Sequence, residues 1–376
     1  MDISTAKYIS DPNQTGPRDP RGPRLLGLSS DSLAAVLKSY GEPSFRTAQI
    51  FDWLYKKDAR SFDEMKNIPL PLREKLAAEF ELGREEPRSV SESTDGTKKY
   101  LFAVNNAGPG ATGPRGTKFI ESAFIPDEDR ATLCVSTQVG CKMGCLFCAT
   151  GRQGFQGQLD AGAIVNQLLS LPERSRITNI VYMGMGEPLD NIEGSFGSLE
   201  LFTSPKAIGM SSKRITLSTI GLPGPLKTYL DTFDSHLAIS IHSPFDEERA
   251  SLMPIQRTHK IRDIIDLLRH YHFDDHRRLS FEYIMFAGIN DSLEHARELV
   301  RLVNGLNCRV NLIHYHSVPG NDLQGADRSV MESFQNLLKE KGIMATIRKS
   351  RGEDIQAACG LLSTKALLSP DTDADY

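Results

Sequence analysis

The stretch CKMGCLFCATG, residues 141–151, carries three cysteines, Cys141, Cys145 and Cys148, in the spacing C-x3-C-x2-C. Three thiolates this close in sequence can converge on one metal centre but cannot fill four positions on it. Iron–sulfur clusters are usually held by four cysteines. A cube held by three leaves one iron open, and an open iron can bind a substrate or cofactor. Zinc sites more often show C-x2-C pairs with a further Cys or His. Single buried structural cysteines are common, but three within one short loop are not. Gly144 and Gly151 suit a loop that wraps closely around its contents.

Outward from this loop, strand and helix patterns alternate. Apolar strand candidates are TLCVSTQ (132–138), ITNIVYMGM (177–185), KRITLST (213–219), HLAISIH (236–242), LSFEYIMF (279–286) and CRVNLIHYH (308–316). Helical periodicity fills the gaps at 161–171, 225–233, 261–272 and 293–305. Repeated strand–helix units predict parallel strands with crossover helices. Six of them predict an α/β fold in the form of a partial barrel, whose chemistry gathers at the C-terminal ends of the strands. The cysteine loop follows the first of these strands.

Toward the N-terminus, residues 28–41, 45–57 and 69–82 have amphipathic helical spacing, and Trp53, the only Trp, falls on an apolar face. Residues 97–104 and 117–125 alternate like two strands of a hairpin, joined by a Gly/Pro-rich linker at 105–116. The expected organisation is a disordered tail at 1–22, a helical accessory domain at 23–88, a β-hairpin linker at 89–127, the barrel at 128–350 and a C-terminal segment at 351–376.

Of the 376 residues, 39% are hydrophobic and 24% charged, which is ordinary for a globular enzyme. No run of about 18 apolar residues occurs, so no membrane span is expected, and the N-terminus lacks the apolar core of a signal peptide. A cytoplasmic location follows, and there six cysteines read as reactive or metal-binding rather than as a disulfide framework. The net charge of −4 excludes a polycation, so any nucleic acid must be met by local patches. No apolar heptad pattern is present, and a monomer is expected.

Several strand ends carry polar groups. GMGEP (184–188) offers freed backbone groups and the carboxylate of Glu187, which suit an ammonium group such as that of methionine. Ser218, Ser240 and His242 sit where they can bond a carboxylate or ribose, or merely satisfy backbone groups. Cys134, inside the first strand, and Cys359, in RKSRGEDIQAACG (348–360), read alone as buried core cysteines. Arg348, Lys349 and Arg351 nearby can lower a thiol pKa, contact phosphate, or form a solvated face. Cys308 has no such surroundings and reads as structural.

Taken together these stretches resemble a known family. The cysteine spacing matches the signature of the radical S-adenosylmethionine (SAM) enzymes. RATLCVSTQVGC, FCATG, GMGEPLDN, LSTIG, SIHSP and RKSRGEDIQAACG resemble the RlmN-type dual-specificity adenine-C2 methyltransferases, from about Leu28 to Leu362. The resemblance implies a partial (βα)6 radical-SAM barrel with a small N-terminal helical domain. It implies a 4Fe-4S cluster on Cys141, Cys145 and Cys148, and SAM contacts from Gly186, Glu187, Ser218, Ser240, Ile241, His242 and His316. Family members often carry Asn at the position of His316.

The implied reaction uses two SAM per turnover. One methylates Cys359. The second, cleaved by one electron, yields a 5′-deoxyadenosyl radical that takes a hydrogen from the S-methyl group. The methylene radical adds to C2 of an adenine, Cys134 attacks the sulfur of Cys359 as the methylated base leaves, and Glu121 aligns with the proton acceptor. The implied substrates are 23S ribosomal RNA at the peptidyl-transferase centre and transfer RNA beside the anticodon, with a one-electron reductant such as flavodoxin. The chemistry suits the residue types: a protein-borne carbon radical reaches an electrophilic ring carbon, and two thiols hold and then release the carbon.

The nearest rival is the related Cfr-type enzyme, which methylates C8 of the same adenosine. HSPFDEERASLMPI (242–255) and NDSLEHA (290–296) resemble it too, whereas Pro188 and RKSRGEDI favour the C2 type. A radical enzyme acting on a small molecule needs neither Cys134 nor Cys359, and a non-enzymatic iron–sulfur RNA-binding protein leaves GMGEP unexplained.

Overall fold

The computed structural model describes residues 23–104, 117–318 and 320–364. The expected tail at 1–22 and the linker at 105–116 lie outside the described residues, as does the chain beyond 364.

Three helices open the fold: α1 (Ser30–Ser39), α2 (Phe45–Tyr55) and α3 (Leu70–Glu79). Ser29 caps α1 by accepting from Ser32 N at 3.0 Å. Next come β1 (Ser89–Glu92), β2 (Lys98–Val104) and β3 (Lys118–Pro126), an antiparallel meander. β3 pairs antiparallel with β4 (Ala131–Cys134), setting Ala123 opposite Cys134. After β4 lies a small ladder, β5 (Gln138–Val139) against β6 (Gly157–Gln158), bracketing the cysteine loop and α4 (Ala149–Gln153).

From there strand and helix alternate: α5 (Ala161–Leu169), β7 (Asn179–Tyr182), α6 (Ile192–Thr203), β8 (Ile215–Thr219), α7 (Pro223–Thr232), β9 (His236–Ser240), α8 (Asp246–Leu252), α9 (Ile261–Leu268), β10 (Leu279–Met285), α10 (Leu293–Leu302), β11 (Cys308–His314), α11 (Arg328–Glu340) and β12 (Met344–Ile347). The ten-stranded sheet runs β1-β2-β3-β4-β7-β8-β9-β10-β11-β12. From β4 onward every pairing is parallel. The sheet does not close on itself, so this is the partial barrel of the sequence expectation, with β12 added as a further parallel strand beyond the six.

Parallel strands need both faces covered, which explains their apolar runs. Ile180, Tyr182, Leu217, Leu237, Ile239, Phe281, Tyr283, Val310 and Leu312 are all buried in one core. Leu33, Leu37, Ile50, Phe51, Leu54, Leu72 and Leu76 of the first three helices join that same core. The join is tight at Gly27 and Gly162. A Cβ at Gly162 would stand 2.3 Å from Leu26 O, and Gly27, at φ +99°, faces the Gly162 backbone. Two glycines therefore let the N-terminal segment rest directly on α5.

Candidate active site

The ends of the parallel strands converge on the cysteine loop. The loop is pinned to α8 by Leu146 N donating to Leu252 O at 3.0 Å, and to the C-terminal segment by Ala149 N donating to Gly360 O at 2.8 Å. Cys145 is buried and Cys141 and Cys148 half-buried, all in one apolar shell with Met143, Phe147, Ile220, Leu252 and Met253. Burial pushes all three thiols up, and within the triplet Cys148 raises Cys141 and Cys145, and Cys145 raises Cys141. Three thiols that resist ionising together form a donor set that a multiply charged cation relieves. Among the described residues no three His, Cys, Asp or Glu side chains are gathered tightly enough for a single metal ion. Three soft thiol donors brought into one apolar shell, with no fourth cysteine in the loop, are the donor set of a four-iron cluster held at three corners with one iron left open.

The GMGEP turn seals one wall. Gly186 has φ +104°, and a Cβ there would lie 2.6 Å from Gln138 Cβ, so only glycine follows this path. Glu187 does not extend a free carboxylate toward a ligand. It is buried, and it accepts from Thr219 Oγ1 at 2.6 Å, Leu189 N at 2.9 Å and Ile220 N at 3.0 Å. Burial raises its pKa to about 7 against those bonds. The carboxylate ties the turn after β7 to the end of β8.

Ser218 is half-buried near the end of β8. Ser240 and Ile241 close β9, and their carbonyls accept from Arg249, at 3.0 Å each. His242 follows at φ +56°, buried, with Ile284 N donating to its Nδ1 at 3.0 Å and its ring edge-on to Phe147 at 4.8 Å. Burial and the charge of Arg249 lower its pKa to about 3, so it is a neutral wedge behind the cysteine loop. His316, at the end of β11, bonds Ser350 Oγ through Nε2 at 2.7 Å and Glu353 through Nδ1 at 3.0 Å. Both ring nitrogens thus hold the C-terminal segment.

Across the site, Cys134 packs with Ala123 and Ala357. Burial pushes its thiol up to about 12, the Cys359 charge adds to this, and Arg348 opposes it. Cys359 is exposed, and its charge is felt at Cys134, at Cys148 and at Arg348. Arg348 also donates to buried Glu282 at 3.3 Å. Glu121, buried on β3, pairs with Lys99 at 2.9 Å and accepts from Ser363 N at 2.9 Å. Burial raises its pKa, and Lys99 counters. The segment bearing Cys359 therefore lies between the cysteine loop on one side and Cys134 on the other. Of the basic cluster, Arg348 faces inward, Arg351 pairs with Asp127 at 3.5 Å, and Lys349 is exposed.

Arg249 is the site residue that carried no sequence signal. It sits beside Glu247 and Glu248 in what reads as a solvated helix, yet its side chain is fully buried. Gln138 was silent too. Its Oε1 accepts from Glu187 N at 2.8 Å, and its Nε2 donates to Asp190 at 2.7 Å.

Comparison with known proteins agrees with this geometry. Residues 24–82 match the model of the ribosomal RNA large subunit methyltransferase N-terminal domain, and residues 135–303 match the radical SAM superfamily. The chain is 51% identical over 340 residues to a probable dual-specificity RNA methyltransferase RlmN of Bacteroides fragilis, covering 90% of this chain and 96% of that one. The chain belongs to the RlmN family. Another family member, the dual-specificity RNA methyltransferase RlmN of Campylobacter hominis, is 39% identical over 369 residues, covering 93% and 99% of the two chains. A crystal structure of a radical SAM methyltransferase from Sphaerobacter thermophilus superposes with a TM-score of 0.83 at 37% identity, over 90% of this chain and 99% of that one. Membership of the radical SAM superfamily implies a 4Fe-4S cluster and SAM. Among the described residues no helix is long and apolar enough to cross a membrane.

Proposed function

We propose that this RlmN-family enzyme, an RNA methyltransferase dependent on SAM, methylates C2 of an adenosine in 23S ribosomal RNA at the peptidyl-transferase centre and in transfer RNA beside the anticodon. Cys359 carries the carbon and Cys134 resolves the thioether. The observation that carries this reading is the seating of the Cys359 segment against both the cysteine loop and Cys134: Gly360 O accepts from Ala149 N at 2.8 Å, and Ala357 packs with Cys134. A small-molecule radical enzyme has no use for that juxtaposition.

Cys141, Cys145 and Cys148 would hold the cluster, which when bound supplies the electron that turns SAM into a source of a hydrogen-abstracting radical. The turn at Gly186 and the strand ends at Ser218, Ser240, Ile241, His242 and His316 would frame the SAM site. Cys359, as thiolate, accepts a methyl group from one SAM, and its exposure admits the donor. Once the carbon is on adenine and the adduct has returned its unpaired electron to the one-electron couple, the Cys134 thiolate attacks the Cys359 sulfur. A disulfide forms, the carbon–sulfur bond breaks with its electron pair on the carbon, that carbon takes up a proton to become the methyl group, and the product leaves. A thiol reductant then returns two electrons to the pair. Glu121, with its raised pKa, is the acceptor for the ring proton. The target base must leave its stack to enter the barrel mouth, and exposed Lys349 is a candidate phosphate contact there.

The test is mass spectrometry of nucleosides from large-subunit ribosomal RNA and transfer RNA, after anaerobic incubation with reconstituted protein, SAM and a one-electron reductant. The expected product is 2-methyladenosine, absent with Cys359→Ala. An 8-methyladenosine signal would move the enzyme to the Cfr-type reaction, and product from the Cys359→Ala protein at wild-type rate would remove Cys359 from the chemistry.

A further inference from the structure

Arg249 heads the largest side chains that are fully withdrawn from solvent. Its Nε donates to Ile241 O at 3.0 Å, its Nη2 to Ser240 O at 3.0 Å and to Ile220 O at 3.4 Å, and its Nη1 to Gln256 Oε1 at 2.5 Å. Every one of these acceptors is neutral. Asp246 is reached only through Gln256, whose Nε2 donates to it at 2.8 Å. Another shielded arginine is treated differently: Arg84 meets Asp58 at 2.7 Å. A buried cation without a directly bonded anion costs several kcal/mol; among the described residues no carboxylate bonds Arg249, and the charge of Asp246 acts on it across Gln256, so a nearer negative charge is called for.

The neighbouring element able to supply one is the cysteine loop. Helix α8, which bears Arg249, is bonded to the loop through Leu146 N and Leu252 O at 3.0 Å. Ile220 and Leu252 share the apolar shell of Cys145. The guanidinium itself reaches that shell, since its Nη2 donates to the carbonyl of Ile220. Burial brings the guanidinium down to about 10, which leaves it charged at neutral pH.

We infer that Arg249 is the buried counter-ion of the cluster-bearing loop, a positioning residue that favours cluster loading and the reduced state. The inference rests on the reading that Cys141, Cys145 and Cys148 hold a four-iron cluster. Such a centre with three thiolates carries net negative charge, and one electron from the reductant increases it. A fixed cation in a low-dielectric shell stabilises the more negative state. Because the same guanidinium grips the carbonyls of Ser240 and Ile241, the charge and the end of β9 are held in one piece.

The test uses the full chain, reconstituted anaerobically, as wild type, Arg249→Gln and Arg249→Lys. Gln keeps amide donors for the carbonyls and removes the charge, whereas Lys keeps the charge and removes the fork. Three quantities are read: irons per chain, the cluster midpoint potential by EPR-monitored titration, and the melting temperature with and without cluster. The Gln variant is expected to show a more negative potential and a smaller gain in melting temperature on loading. The Lys variant is expected to stay near the wild-type potential even where its stability drops. Equal losses of stability in apo and loaded protein, with the potential unmoved in both variants, would reduce Arg249 to a clamp and overturn the inference. A Lys variant that alone folds and shifts the potential strongly would overturn it as well. Wild-type protein that holds no four-iron cluster would instead sink the reading of the three cysteines beneath it.

Discussion

The hydroxyl of Ser93 donates to a carboxylate oxygen of Asp354 at 2.5 Å, across 261 positions of chain. Beside it Thr94 N donates to the other oxygen of Asp354 at 3.1 Å, and Gly352 N donates to Asp95 at 3.0 Å. The β1–β2 turn thus grips the chain just before Cys359. Just after it, Thr150 Oγ1 donates to Leu362 O at 2.6 Å. Cys359 hangs between two anchors. Deleting the Ser93 donor removes one part-buried hydrogen bond to Asp354, which should shift a local opening equilibrium roughly fivefold. Ser93→Ala is expected to speed amide exchange across residues 352–360 by about that factor, leaving the β7–β10 strands unchanged. Exchange that stays at the wild-type rate there would show that the turn does not hold the segment.

Gly162 predicts a stability effect far from the chemistry. A methyl group at this position would meet Leu26 O at 2.3 Å and Leu26 C at 3.0 Å, backbone atoms that cannot swing aside as a side chain can. Gly162→Ala is expected to cost about 2 kcal/mol, the usual range for overpacking. Its melting temperature should drop by a few degrees. Because Tyr55 of α2 accepts from Gly27 N at 3.1 Å beside this contact, the loss should include loosening of the first three helices. A variant that melts at the wild-type temperature would mean that the two segments slide apart freely.

The features legible in the sequence are those that write a local pattern. The cysteine spacing, the apolar strands β4 and β7–β11 and the alternation of β2 and β3 all depend on residues a few positions apart. β12 was not legible, because MATI is four residues long, with Met344 exposed. β1, the four exposed residues SVSE, has no apolar face to announce it. In the site, GMGEP was legible as a strand-end turn, but the direction of the Glu187 carboxylate was not. Its partners Thr219 and Ile220 lie on another strand, over thirty positions away. Arg249 was hidden for the same reason, since its acceptors come from the ends of β8 and β9 and its own neighbours in sequence are acidic. The resemblance supplied Cys134 and Cys359 as a pair, which no spacing in the chain connects.

Cys134 makes a distinct prediction from its burial. With the thiol pushed up to about 12, it is protonated at neutral pH and becomes a nucleophile only with help from Arg348 or a change at Cys359. If it resolves the thioether, Cys134→Ala should leave RNA joined to Cys359, because nothing else breaks that carbon–sulfur bond. The expected observation is a nuclease-sensitive protein–RNA adduct on denaturing gels and no free 2-methyladenosine. Free product at wild-type yield, with no adduct, would assign release to another group. Arg348→Met should accumulate the same adduct more slowly resolved than wild type, since the charge favouring the thiolate is gone.

His242 predicts how stability depends on pH. Its Nδ1 accepts from Ile284 N at 3.0 Å, so the fold requires the neutral ring. Its pKa in the fold is lowered by burial, then by Arg249, from 6.5 to about 3. The unfolded chain therefore binds the proton first as pH falls. The contribution is whole above about pH 6.5 and drains away as pH drops toward 3, at up to about 1.4 kcal/mol per pH unit. Asn at this position accepts from Ile284 N, tolerates φ +56° and does not titrate. His242→Asn should be less stable than wild type at pH 8, because its side chain does not reach Phe147, which His242 meets at 4.8 Å. As pH falls below 6.5 the wild-type advantage should shrink along that slope, read from urea midpoints of the apo protein between pH 8 and pH 4.5. Parallel curves across that range would mean that the imidazole takes up its proton in the fold at the same pH as in the unfolded chain, and Ile284 N would then need another acceptor.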